Sequence, residues 1–146
     1  MPIDKNEKLL FFSPNFNSKL RIPFIKEGVS AGFPSPASDF LETSIDLNKE
    51  LSTNPLATFY IKVKGNSMID AGINDKDVLV VDRSLEPQNN KIAICFIDGE
   101  FTVKRIQLEQ DCLYLMPENP NYPPIKVTEE NQLIIWGIVT YVIKRV

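Results

Sequence analysis

The sequence predicts a mainly β domain with one short helical region near its first third. Three observations carry this prediction. The chain has 146 residues, of which 43% are hydrophobic and 24% charged, a composition typical of a single soluble globular domain. Residues 58–64 alternate apolar and polar side chains, as a half-buried strand does. Asp98-Gly99 separates two β-rich runs and favours a two-residue hairpin turn.

The N-terminal residues 1–31 are predicted to form an extended arm. They contain apolar side chains without a sustained period, and Pro14 and Pro23 interrupt them. The arm carries five Lys/Arg against three Asp/Glu, and residues 32–146 carry 11 against 16, within a net charge of −3. The small residues around Ala31-Gly32 precede two prolines that favour extended backbone, which suits either a protease substrate or an ordinary linker.

After the arm, the sequence predicts helix first and then strands. Apolar positions within residues 38–51 fit one or two short helices, with Ser38 and Asp46 as caps, and Asn54-Pro55 ends them. Strands are then predicted from alternation and β-branched content, with a polar, proline-rich loop before the last one. The predicted strands cover residues 58–64, 77–81, 91–97, 100–108, 112–116 and 133–146.

The hairpin turn fixes a register. Without a bulge, residue 97 faces 100, residue 95 faces 102, and Ala93 lies opposite Lys104. Lys104 shares its strand face with Thr102, Ile106 and Leu108, and this mostly apolar neighbourhood favours the uncharged amine that a general base requires. The alternative is a solvated strand lysine, like Lys62 or Lys64.

Ser67 is the candidate nucleophile, in a turn that Gly65 permits directly after a strand. The sequence contains no histidine, so a base for this serine must be a carboxylate or a lysine amine. Backbone amides around the turn could form an oxyanion hole. Gly-x-Ser is also common in ordinary loops, so the pattern alone does not establish catalysis.

Composition excludes several other classes. The acidic body argues against direct nucleic-acid binding. Cys95 and Cys112 lack metal-site spacing and are predicted to be buried thiols, so neither a metal nor a cofactor is expected. The longest apolar run has 11 residues, too few to cross a membrane, and the N-terminus lacks a signal-peptide core, which together predict a cytoplasmic protein.

Three segments in this order carry a resemblance to a known family: residues 31–37, 65–73 and 98–104. They closely resemble the UmuD group of the LexA/UmuD family of self-cleaving Ser-Lys peptidases, of S24 type. The resemblance implies a LexA/UmuD C-terminal-like β-barrel or clip fold of twisted antiparallel sheets, with a short helix before the first core strand. It also implies Ser67 as nucleophile, Lys104 as base, the amides of Asn66 and Ser67 as oxyanion hole, and cleavage at Ala31-Gly32.

The resemblance implies a biological role as well. Residues 1–31 would be removed by self-cleavage, and residues 32–146 would form the catalytic and dimerisation domain. The RecA filament on single-stranded DNA would stimulate cleavage, and the shortened homodimer would assist a UmuC-type DNA polymerase in error-prone translesion synthesis during the SOS response. The chain departs from the group in having Ala31 where cysteine is usual. Alternatives are a LexA-like repressor, which would need a helix-turn-helix that the arm lacks, and an inert β-rich interaction module.

Overall fold

A computed structural model of the chain describes residues 8–17, 21–24 and 43–146. The chain divides into two units: Met1–Pro14 together with Asn54–Val146, and Asn15–Thr53. Two short 3₁₀ turns, Pro55–Ala57 and Ile69–Ala71, accompany the regular elements. The described residues form the strands β1 (Lys8–Phe12), β2 (Arg21–Phe24), β3 (Thr43–Asp46), β4 (Thr58–Lys64), β5 (Val78–Asp82), β6 (Ile92–Ile97), β7 (Glu100–Leu108), β8 (Leu113–Met116), β9 (Ile125–Val127) and β10 (Leu133–Ile143), with helix α1 (Leu47–Leu51) before β4.

The larger unit is built on one eight-stranded sheet in the order β1-β4-β5-β10-β6-β7-β8-β9. Every neighbouring pair in this order is antiparallel. The predicted mainly β class, with a short helix ahead of the first core strand, is therefore confirmed.

The β6–β7 hairpin has the predicted register. Ile97 pairs with Glu100, Cys95 with Thr102, and Ala93 with Lys104. Asp98 and Gly99 have φ angles of 49° and 85°, the positive values that a type I′ turn requires at both central positions. This short turn without a bulge places Lys104 on an interior face of the sheet.

The long strand β10 lies at the centre of the sheet between β5 and β6, and it carries a bulge against each neighbour. Gly137 lies at the bulge on the β6 side. A Cβ atom at this position would lie 2.5 Å from Cγ1 of Val81, so the close approach of β10 to β5 requires glycine here.

Two apolar clusters pack on the sheet. One joins β4, β5, β6 and β7 with two buried residues of the β4–β5 loop, Met68 and Ile73. The other joins β6, β7, β8, β9 and β10, and it includes Ala93, Ile106 and Leu115. The hydrophobic effect across these clusters fixes the strands that present the candidate site.

The smaller unit contains the pair β2–β3, which are antiparallel, and α1. Asp46 caps the helix as predicted, because its Oδ1 accepts a hydrogen bond of 3.0 Å from the amide of Asn48. The prediction of helix was wrong for Thr43–Asp46, which is strand β3; its pairing with β2, a non-local contact, overrides the local apolar spacing. The predicted cap Ser38 lies outside the described residues.

Sequence patterns missed further strands. In the arm, β1 has apolar residues on both faces, with Leu10 and Phe12 more than half exposed, so it shows no alternation. β2 includes Pro23, and β9 lies in the segment predicted as a proline-rich loop. Cys95 is buried as predicted, whereas Cys112 is only partly buried.

Candidate active site

The loop between β4 and β5 presents Ser67. Gly65 follows β4 with a φ of 125°, a backbone conformation that favours glycine, and its amide donates a 2.9 Å hydrogen bond to Asp75 Oδ1. Met68 anchors the loop because its side chain is 2% exposed in the apolar core. The turn ends at Gly72, which has a left-handed φ of 80°. Ser67 is thus held between a fixed turn and a buried anchor.

Lys104 reaches this serine from the neighbouring hairpin. Its Nζ lies 3.3 Å from Ser67 Oγ, and both residues are 2% exposed. The alternative of a solvated strand lysine is therefore wrong for Lys104, because the hairpin turns this position inward, opposite Ala93. Lys62 and Lys64 on β4 are, by contrast, exposed.

Two more oxygens lie beside the amine. Nζ of Lys104 is 2.5 Å from Thr102 Oγ1 and 3.0 Å from the carbonyl oxygen of Val103. Nζ is thus within donating distance of three oxygens, those of Ser67, Thr102 and Val103. In the neutral form, which has two N–H donors and one lone pair, the Val103 carbonyl and the Thr102 hydroxyl would accept the two donors and the lone pair would face the Ser67 hydroxyl. Only in that form could the lysine accept a proton from serine.

The loop between β8 and β9 holds the backbone on either side of the serine hydroxyl. The amide of Glu118 donates a 2.8 Å hydrogen bond to the Ser67 carbonyl, and the Asp70 amide donates a 2.7 Å bond to the Glu118 carbonyl. Asn119 Nδ2 donates a 2.9 Å bond to the carbonyl of Asn66. Because each carbonyl shares its peptide plane with the next amide, these bonds also set the directions in which the Ser67 and Met68 amides point.

An ion pair supports this loop from β7. Arg105 Nε donates to Glu118 Oε1, and Arg105 Nη1 donates a 2.7 Å bond to the carbonyl of Asn90. Both side chains of the pair are about one third exposed, at 32% and 30%, so solvent screening limits its contribution to stability to roughly 0–1 kcal/mol. Its effect is to orient Glu118, whose backbone contacts the serine loop.

The structure brings together two of the residues singled out in the sequence, Ser67 and Lys104, with Asn66 adjacent. Ala31 and Gly32 lie outside the described residues. The oxyanion-hole role of the Asn66 and Ser67 amides stays a prediction. Sequence reasoning noted Thr102 only as a neighbour of Lys104 on its strand face. It missed Glu118 and Asn119, because their contacts join loops that the sequence does not link.

Two aspartates near the serine loop are buried: Asp77 before β5 and Asp82 at its end are 5% and 6% exposed. Asp77 accepts a 2.8 Å bond from the Asn74 amide and forms an ion pair with Lys144, and Asp82 accepts a 2.7 Å bond from the Ser84 amide. These partners explain how the carboxylates are buried without a catalytic role.

Within the described part of the chain, no group of three or more His, Cys, Asp or Glu side chains is arranged to bind a metal ion. None of the helices that the structure describes has the length and apolar character needed to cross a membrane.

The antiparallel sheet, together with a match to a peptidase family, defines a class of protein, a β-sheet serine peptidase. The chain belongs to the Peptidase S24-like family, which it matches over residues 23–140. It is 43% identical over 122 residues to protein MucA of Salmonella typhimurium, covering 82% of each chain. It is 41% identical over 124 residues to protein ImpA of Shigella flexneri, covering 84% of this chain and 83% of that one. It is also 35% identical over 147 aligned positions to the LexA repressor of Ectopseudomonas mendocina (strain ymp), covering 91% of this chain and 72% of the repressor.

Proposed function

We propose that the chain is an autoprotease that cuts its own Ala31-Gly32 bond with Ser67 as nucleophile and Lys104 as general base. The observation that carries the proposal is the 3.3 Å distance between Lys104 Nζ and Ser67 Oγ, at a site where both residues are 2% exposed. Because bulk water is excluded from both side chains, the serine proton can pass directly from the hydroxyl to the amine.

The reaction proceeds in two steps. Lys104 takes the proton of the Ser67 hydroxyl while Oγ attacks the carbonyl carbon of Ala31, and the amides of Asn66 and Ser67 stabilise the oxyanion. The protonated amine gives its proton to the nitrogen of Gly32, and the peptide bond breaks to leave an ester between Ala31 and Ser67. Lys104 then deprotonates a water molecule that hydrolyses the ester, which restores the serine and frees the new carboxyl terminus.

The biological role that we propose comes from the family. The shortened chain, residues 32–146, acts as a homodimeric accessory subunit of a UmuC-type error-prone polymerase, and the RecA filament on single-stranded DNA stimulates the cleavage. The similarity to MucA and ImpA supports the choice of the UmuD group within the family. The body of the chain is acidic, which favours contact with DNA through partner proteins.

The test is incubation of the purified protein at alkaline pH, where more of the lysine amine is neutral, followed by mass analysis and N-terminal sequencing. We expect a product that begins at Gly32. Ser67→Ala and Lys104→Ala should each abolish it, and activated RecA filament should accelerate it near neutral pH. Cleavage at another bond, or cleavage that persists in either variant, would refute the assignment.

A second candidate is a repressor inactivated by the same cleavage, since the LexA repressor is among the relatives. The described residues ahead of α1 form the strands β1, β2 and β3, which do not provide a recognition helix. A gel-shift assay decides between the two, because a repressor binds duplex DNA tightly and with sequence specificity, and an accessory subunit does not.

A further inference from the structure

The outer edge of β4 is covered by a strand from the arm. β1 is the terminal strand of the sheet, and it pairs with β4 from Lys8 opposite Lys64 to Phe12 opposite Tyr60. On its other side β4 pairs with β5. If β1 leaves, β4 becomes the edge strand and its backbone amides and carbonyls on that side lose their partners. Such an edge is a template for another strand.

The inward face of β1 fills an aromatic socket, formed by Phe59, Phe101 and Trp136. The ring of Phe11 lies 4.8 Å from that of Phe101 and 4.9 Å from that of Trp136, both nearly edge to face. Phe59 lies 5.1 Å from Trp136 on the same cluster. Departure of Phe11 would open the socket to solvent, so an aromatic side chain from another strand gains affinity by replacing it.

The charges on β4 do not match β1. The register sets the apolar Leu10 opposite Lys62, so this lysine faces no opposite charge across the strand pair. The side chains of Lys62 and Lys64 are exposed, and with Lys76 and Asp75 they line a surface cavity next to Leu10, where three cations meet one carboxylate. Acidic residues at the positions of Lys8 and Leu10 would therefore pair better with this edge than the chain's own strand does.

We propose that the β4 edge and the aromatic socket form a docking site for an extended segment of a protein partner, which β1 occupies until the arm is displaced. The segment adds antiparallel to β4, with acidic residues opposite Lys62 and Lys64 and an aromatic residue at the position of Phe11. The proposal rests on the proposed function only for the means of displacing β1, the loss of residues 1–31. Main-chain hydrogen bonds supply affinity, and the socket and lysines supply specificity.

The test uses the full chain with Ser67→Ala, so that no cleavage occurs, and adds Phe11→Asp to release β1. Two labelled peptides are compared by fluorescence anisotropy: residues 6–14 as they stand, and the same peptide with Lys8→Glu and Leu10→Glu. We expect the acidic peptide to bind the Phe11→Asp chain roughly threefold to tenfold more tightly than the native peptide, from the cross-strand charge pairs. The Ser67→Ala chain with Phe11 intact should bind the acidic peptide about tenfold more weakly, because β1 still pairs with the edge of β4.

A charge exchange on β4 is the matched control. Lys64→Glu, at an exposed position, should reverse or abolish the preference for the acidic peptide without affecting folding. Equal binding of the two peptides, a preference that Lys64→Glu leaves unchanged, or no binding at all would overturn the proposal.

If circular dichroism shows that Phe11→Asp does not fold, a second variant decides. Leu10→Glu in the Ser67→Ala chain should slow hydrogen exchange of the β1 amides about threefold or more, since it places an opposite charge across from Lys62 at an exposed position. Unchanged exchange overturns the proposal. Because these assays need no cleavage, a chain that binds the peptide but never cuts itself refutes only the proposed function. A chain that cuts itself but fails the binding test refutes only the docking site.

Discussion

Thr102 is expected to hold the lysine amine in its reactive orientation, and Thr102→Val tests this. The substitution keeps the branched shape but removes the hydroxyl, which lies 2.5 Å from Lys104 Nζ at a position with 0% exposure. A buried N–H that loses its acceptor costs about 1–3 kcal/mol. If this free-energy cost raises the activation barrier of cleavage, because the amine no longer keeps its reactive orientation, the cleavage rate should drop by roughly tenfold to a hundredfold.

Two comparisons separate positioning from stability. Thr102→Ser keeps the hydroxyl and loses one methyl group, which costs about 1 kcal/mol of stability from reduced burial. Thr58→Val removes another buried threonine hydroxyl, at the start of β4, which donates its 2.7 Å hydrogen bond to the carbonyl of Asn54, a residue outside the site. We expect all three variants to be destabilised to a similar degree, but only Thr102→Val to lose cleavage.

The assay measures the first-order rate of the Gly32 product at alkaline pH, well below the melting temperature of each variant, with stability taken from urea unfolding. A Thr102→Val chain that cuts at the native rate would exclude a positioning role for the Thr102 hydroxyl. An equal loss of rate in Thr102→Ser and Thr58→Val would exclude it too, since the effect would then follow stability alone.

The remaining predictions concern the supporting loops and the sheet. Asn119→Ala removes the donor to the Asn66 carbonyl and should slow cleavage severalfold with little change in melting temperature, because Asn119 is only partly buried; an unchanged rate would exclude a positioning role. Gly137→Ala places a Cβ 2.5 Å from Val81 Cγ1 and should lower the free energy of unfolding by about 1–3 kcal/mol, measured with denaturant. Hydrogen bonds from the Gln132 amide and the Asn131 side chain lower the pKa of Asp98, so its contribution to stability is present above about pH 4 and lost as the pH falls through the folded-state pKa. The stability difference between the native chain and Asp98→Ala should therefore shrink below about pH 4, and a difference that stays constant down to pH 2 would contradict this.

The contact between Lys104 and Ser67 was predictable in part, because the placement of Lys104 depends on a hairpin whose residues are close in sequence. Asp98-Gly99 determines the turn, the turn determines the register, and the register places Lys104 opposite Ala93 on the buried face. The placement of Ser67 depends on how the loop after β4 folds over the hairpin. Only the resemblance of the motifs to the S24 family linked the two, since no local pattern relates positions 67 and 104.

Elements that depend on non-local pairing could not be found in the same way. β1 lacks alternation because Leu10 and Phe12 face outward at an edge, and it is a strand only through its pairing with β4. β3 occupies a segment whose apolar spacing also suits a helix, and its pairing with β2 decides the outcome. Asn119 lies in a proline-rich loop and contacts a carbonyl 53 residues away. Periodicity reports burial along one segment and carries no information about such partners.

The strand pairings also distinguish two events, hydrolysis of the Ala31-Gly32 bond and departure of residues 1–31 from the sheet. The Ala31-Gly32 bond lies, in the sequence, between β2 and β3. Residues 1–31 contain both β1 and β2, which pair with β4 and β3 in residues 32–146. Under the proposed function, hydrolysis of the bond would remove the covalent link but none of these backbone hydrogen bonds, so the cut arm would keep its attachments until they break. We therefore expect cleavage to convert a fixed edge strand into an exchangeable one, and a partner that competes for β4 to determine when the arm leaves.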